Sequence, residues 1–171
     1  MGDPAWLSER EQRAWRGLLA MQAQLNSRLR QSMQRNTGLS DADYGVLVNL
    51  SEAPEGRLRI FELAAALQWE KSRLSHQVGR MEQRGLVERH ECATDGRGAF
   101  VVLTDIGRRS IEAAAPHHVS GVQRYFIEAL SPSQLDALSE IAEAVLTKLA
   151  GDGPEIGPEG CLAPRHGPAG E

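Results

Sequence analysis

Between Lys71 and Arg80 the chain places cations, hydroxyls and an imidazole at helical spacing: Lys71, Ser72, Arg73, Ser75, His76 and Arg80. Arginine can give a bidentate pair of hydrogen bonds to guanine O6 and N7, and serine can contact bases or phosphates. At about 100° per residue, Leu74, Val78 and Met81 form one stripe, while Ser72, His76, Gly79 and Gln83 lie opposite. Arg73 and Arg80 flank that opposite side, with Lys71 and Ser75 nearer its edges. This is the chemistry a helix needs to enter a major groove. On an isolated helix the same letters would equally serve as a solvated polar face, so the flanking elements have to decide.

Those flanks read as a unit from Phe61 to Leu103. A short helix carries Leu63, Ala64 and Leu67 on one face, and a turn falls at Gln68-Trp69. The second helix runs from about Glu70 to Gln83 and is stopped by Gly85, a residue able to take the positive φ that closes helices. Leu86 to Glu91 and Ala99 to Leu103 read as two strands. The tip between them, Cys92 to Gly98, is turn-rich and holds Asp95 and Arg97. Helix, turn, helix and a hairpin with an arginine at its tip predict a winged helix-turn-helix. The fold class is mainly α with a small β-hairpin wing.

Further helices lie on both sides. Ser8 and Glu11 have capping-box spacing and start a long helix that ends near Gly38, with Trp15, Leu18, Leu19, Leu25 and Leu29 as its apolar stripe. That helix is long for one face of a small domain, which predicts packing on a second chain. Ser40 and Asp43 start the next helix, with Tyr44, Leu47, Val48 and Leu50 as core and a break at Ala53 to Gly56; Leu58 and its neighbours suit a brief strand. Thr104 caps a helix that meets Pro116, where a kink is expected before it resumes through Val119, Val122, Phe126 and Ile127. Ser131, Pro132 and Gln134 start a last helix bearing Leu135, Leu138, Ile141, Val145, Leu146 and Leu149. Residues 151–171, rich in glycine and proline, are expected to be disordered.

A length of 171 residues suits one domain, and 41% hydrophobic residues with no long apolar run predicts neither a membrane span nor a membrane partner. The N-terminus lacks the features of a signal peptide, so a cytoplasmic location is expected. The formal net charge is −4, but four acids and one arginine in the last twenty-one residues account for most of it. Groove binding needs a local cationic surface rather than a basic whole. Cys92 and Cys161 have no metal-type spacing and imply no disulfide framework, and no metal or other cofactor is expected. Neither a nucleophile elbow nor a phosphate loop is present, which argues against an enzyme. A winged helix that binds protein instead of DNA is the alternative; it predicts an apolar or acidic outer face on the second helix.

The pattern resembles the MarR family of bacterial transcriptional regulators. The resemblance is carried by Leu63-Ala64, Lys71-Ser-Arg-Leu-Ser-His76, Arg84-Gly-Leu-Val-Glu-Arg89, Asp95-Gly-Arg-Gly98 and Leu103-Thr-Asp-Ile-Gly107. It covers roughly residues 10–150, after an extension over 1–9: a winged helix-turn-helix over about 40–104 and dimerisation helices over about 10–36 and 105–150. It implies a homodimer on double-stranded, palindromic DNA, usually a repressor. Each second helix would sit in a major groove, with Lys71, Ser72, Arg73, Ser75, His76 and Arg80 as contacts. Arg97, held by Asp95, would reach the minor groove; Arg59 and Arg89 suit either phosphates or solvent. Relatives that bind small phenolic or anionic effectors hold them between the dimer helices and the DNA-binding lobe. Trp15, Tyr44 and His117 are the candidates here, although Trp15 and Tyr44 are also types that cores use. Peroxide-sensing relatives carry a cysteine near the start of the first helix, and this chain has none there. Cys92, at the base of the wing, is the remaining candidate for a redox role.

Overall fold

The computed structural model describes residues 6–91 and 99–152. The elements run α1 (Glu9–Thr37), α2 (Asp41–Glu52), a 3-10 turn (Pro54–Gly56), β1 (Arg57–Arg59), α3 (Ile60–Ala66) and α4 (Lys71–Gln83). They continue with β2 (Val87–Glu91), β3 (Ala99–Leu103), α5 (Asp105–Tyr125), a 3-10 turn (Ile127–Ala129) and α6 (Pro132–Asp152). The three strands form one antiparallel sheet in the order β1-β3-β2, with Leu58 opposite Val101 and Arg89 opposite Val101 on the other side. No described helix is long and apolar enough to cross a membrane.

Local sequence chemistry sets most helix starts. Ser8 and Glu11 form a reciprocal capping box at α1, and Ser40 and Asp43 form one at α2. At α6 the Ser131 N–H donates to Gln134 Oε1 at 2.8 Å, and the Gln134 N–H donates back to Ser131 Oγ. Gly38 closes α1 at φ 69°, and Gly85 follows α4 at φ 70°.

The core lies where α2, α3, α4 and the sheet meet α5. Leu47, Leu50, Leu63, Leu74, Val78, Met81 and Val101 are fully buried there. Thr104 explains the Leu-Thr-x-x-Gly motif. Its hydroxyl lies 2.7 Å from the Gly85 carbonyl and 3.0 Å from that of Leu86, and it accepts the Gly107 N–H. A Cβ on Gly107 would sit 2.1 Å from Leu86 O, so only glycine lets α5 approach the end of α4 this closely.

One expectation changes, the extent of the fifth helix. The fifth helix carries Pro116 within one uninterrupted span and ends at Tyr125; Phe126 leaves it at φ −131°, so Phe126 and Ile127 are not part of it. The missing N–H of proline costs one hydrogen bond, which a helix tolerates when packing on both sides holds it, as Ala114 and Gly121 do here. The apolar positions of α1 and α6, in turn, are largely uncovered by their own chain. Met33 is the one buried residue of α1, and Trp15 (52%), Ile141 (60%) and Leu146 (57%) are exposed.

Candidate nucleic-acid interface

The second helix is amphipathic in the sense expected. Leu74, Val78 and Met81 are fully buried, and Lys71, Ser72, Arg73, His76 and Arg80 are exposed together on its outer side. Ser75 is half-buried at the edge of that face, where its carbonyl accepts from Arg89 Nη2 at 2.8 Å. The turn before α4 is held by the Trp69 N–H donating to the Ala64 carbonyl, with Gln68 at a positive φ of 52°. Trp69 packs on the core, and the Arg73 guanidinium lies 4.2 Å from its ring centroid. Arg73 is thus supported at the N-terminal end of α4, the end that leads into a groove in helix-turn-helix proteins.

The wing is braced to this helix. Arg89 reaches back from β2 across Gly79, within 3.2 Å of Glu82 and 2.8 Å of the Ser75 carbonyl. It covers part of the small-residue gap on the outer face and neutralises the acid beside it. Arg59 starts α3 through its N–H to Glu62, and its guanidinium lies over the Phe100 ring, as does that of Arg57. Asp95, Arg97 and Cys92 lie outside the described residues.

Sequence reasoning missed a polar network beneath the helix. Asp43, read as a helix start, and Gln77, assigned no role, are both 3% exposed. Gln77 Nε2 donates to Asp43 Oδ1 at 2.7 Å, and Arg84 Nη1 and the Ser40 N–H donate to Asp43 Oδ2. Burial opposes the Asp43 carboxylate, but the hydrogen bonds from Arg84 and Ser40 and the Arg84 charge outweigh it and hold its pKa below the ordinary value. The signal was weak: Gln77 falls at the margin of the apolar stripe, where a polar residue needs a buried partner.

The effector candidates are not brought together. Tyr44 is buried and stacks on His118, with ring centroids 4.7 Å apart; the neighbouring His117 is exposed. Adjacent helical residues point about 100° apart, and it is His118 that faces α2. Burial pushes the His118 pKa down against the pull of Asp41, and burial together with Glu52 pushes the Tyr44 phenol up. A Cβ on Gly121, one turn beyond His118, would meet Leu29. Trp15 therefore stands roughly 21 Å further along α1, at 1.5 Å per residue. Among the described residues the Tyr44 hydroxyl has no hydrogen-bond partner. A separate open groove of about 300 Å³ lies between α1 and the end of α5, lined by Met21, Leu25, Arg28, Tyr125 and Phe126 among others.

A buried apolar stripe with a cationic outer face, a short helix and tight turn before it and two antiparallel strands after it define a winged helix-turn-helix protein. The MarR family model matches residues 37–98, from the end of α1 to the residue before β3. AbsC, a MarR family transcriptional regulator from Streptomyces coelicolor, is 43% identical with a TM-score of 0.80, over 86% of this chain and 99% of that one. A second MarR family regulator from Streptomyces coelicolor, solved in complex with DNA, is 38% identical with a TM-score of 0.81, over 91% and 96%. The transcriptional regulator HosA of Escherichia coli O157:H7 is 30% identical over 126 residues, 69% of this chain and 91% of that protein. The chain belongs to the MarR family of transcriptional regulators.

Proposed function

We propose that the protein is a sequence-specific regulator that binds double-stranded DNA as a homodimer and represses from a palindromic operator. The observation that carries this reading is the outer face of α4, where Lys71, Ser72, Arg73, His76 and Arg80 are exposed together over a fully buried apolar stripe. Cationic and hydroxylic groups on that face favour DNA over a protein partner, which would call for an apolar or acidic one. In this reading Arg73, His76 and Arg80 contact base edges, Lys71, Ser72 and Ser75 contact bases or phosphates, and Arg97, held by Asp95, enters the adjacent minor groove. Two-fold symmetry would set the half-sites about 34 Å apart or a multiple of that distance. The likeness to a relative solved in complex with DNA supports the reading. A small phenolic or anionic effector would act beside the buried pair of Tyr44 and His118, between α2 and α5, and release the protein from DNA.

Binding selection from a random duplex library, with the mass of the bound species measured, tests this. A palindromic motif bound by two chains is expected. Binding without sequence preference would overturn base reading by α4, and no binding at low salt would leave the protein-interaction role.

A further inference from the structure

Neither the apolar stripe nor the outer face of α4 accounts for Gln77. Its amide is engaged at both ends: Nε2 donates to Asp43 Oδ1 at 2.7 Å, and Oε1 accepts from Arg80 Nη2. The order of those bonds is dictated by chemistry. A carboxylate can only accept, so the amide nitrogen must face Asp43 and the amide oxygen must face Arg80. Asp43 is itself pinned, since Oδ2 accepts from the Ser40 N–H at 2.9 Å and from Arg84 Nη1 at 2.7 Å. The first turn of α2 therefore fixes the carboxylate, the carboxylate fixes the amide, and the amide takes one of the five donors of the Arg80 guanidinium. The remaining donors of an exposed side chain are left to point outward.

We propose that Gln77, held by Asp43, is a positioning residue that aims Arg80 and thereby sets the base preference of α4. This rests on the reading that α4 enters a major groove. An arginine free to sample its rotamers loses that freedom on binding, and one already held loses less. On the selected DNA site the advantage is about twofold to twelvefold in affinity, the range expected for one immobilised long side chain. The more telling effect is on selectivity, because a bidentate arginine contact discriminates between bases only when its fork is correctly directed.

The test compares wild type, Gln77→Met, Arg80→Ala and the double variant by binding selection and by affinity for the wild-type motif, with thermal unfolding measured for each. Gln77→Met should weaken binding about twofold to twelvefold and broaden the preference at the same base position that Arg80→Ala broadens. In the Arg80→Ala background it should add nothing. Asp43→Asn is the second variant: asparagine can donate or accept, the Gln77 amide is then free to turn over, and the same position should broaden with Gln77 still in place. Additive losses, or weaker binding with an unaltered base profile, would overturn the inference while leaving DNA reading intact. A wild-type protein that selects no motif would overturn DNA reading and this inference with it.

Discussion

Tyr44 carries a hydroxyl that is buried and unpartnered among the described residues, while its ring stacks on His118. Burying an unsatisfied hydroxyl costs free energy that a phenyl ring of the same shape avoids. Tyr44→Phe should therefore unfold at an unchanged or higher urea midpoint, with a gain of up to about 1 kcal/mol. A clear loss of stability would mean the hydroxyl is hydrogen-bonded in solution. If an effector reads this hydroxyl, the same variant keeps operator binding and loses release. Asp43 gives the opposite case. Its folded pKa is depressed, so its contribution is complete above the unfolded value of about 3.9 and is lost as pH falls through the folded value. Wild type should lose stability below about pH 4 more steeply than Asp43→Asn, which carries no such proton. At neutral pH Asp43→Ala should cost about 2 kcal/mol, because it leaves the buried Gln77 amide without its partner. Parallel urea titrations between pH 7 and 2.5 would check both statements, and equal slopes for wild type and Asp43→Asn would refute the first.

The joint between α4, the sheet and α5 depends on how closely α5 approaches Leu86. Gly107→Ala would drive a Cβ into the Leu86 carbonyl, a backbone atom that cannot move aside, and should cost about 3 kcal/mol, the upper end of overpacking. Gly121→Ala meets only the Leu29 Cδ2 methyl at 3.1 Å, the far end of a side chain, and alanine favours the helix by about 1 kcal/mol. Its melting temperature should stay near wild type; similar losses in the two variants would mean that the approach at Gly107 is not what limits packing. These elements were legible where a hydrogen bond closes within a few residues. Ser8 with Glu11, Ser40 with Asp43, Ser131 with Gln134, and Gly85 after α4 all read directly from spacing. The apolar stripe of α4 was legible as well, since one helix period decides it. The pairing of Asp43 with Gln77 was not, because thirty-four residues separate the partners and each is ordinary in its own neighbourhood. Nor could spacing choose between His117 and His118, which required the phase of α5 against α2.

At the scale of the molecule, α1 and α6 are built for more than one chain can cover. Among the described residues α6 makes only marginal contact with the other elements, and Ile141, Val145, Leu146 and Leu149 are each at least half exposed along it. A helix of 21 residues gains little from hydrogen bonding alone in water, so its stability has to come from packing an apolar face. Trp15, Leu18, Leu19 and Met21 on α1 and Val119 on α5 are exposed in the same manner. An exposed apolar patch this extensive marks an interaction surface. Helices from the two ends of the chain would form the isologous contact that a two-fold dimer needs. The double variant Val145→Asp, Leu149→Asp places two carboxylates in that contact. On this reading it should sediment as a monomer while wild type sediments as a dimer, and its helix content should fall as α6 loses its support. Binding to a palindromic site should weaken by at least about a hundredfold, because each recognition helix then engages its half-site without the other. A single half-site should be bound equally well by variant and wild type, since α4 and α6 make at most marginal contact. A variant that stays dimeric would remove α6 from the interface, and a monomer with undiminished affinity for the palindrome would mean that one chain is the DNA-binding unit.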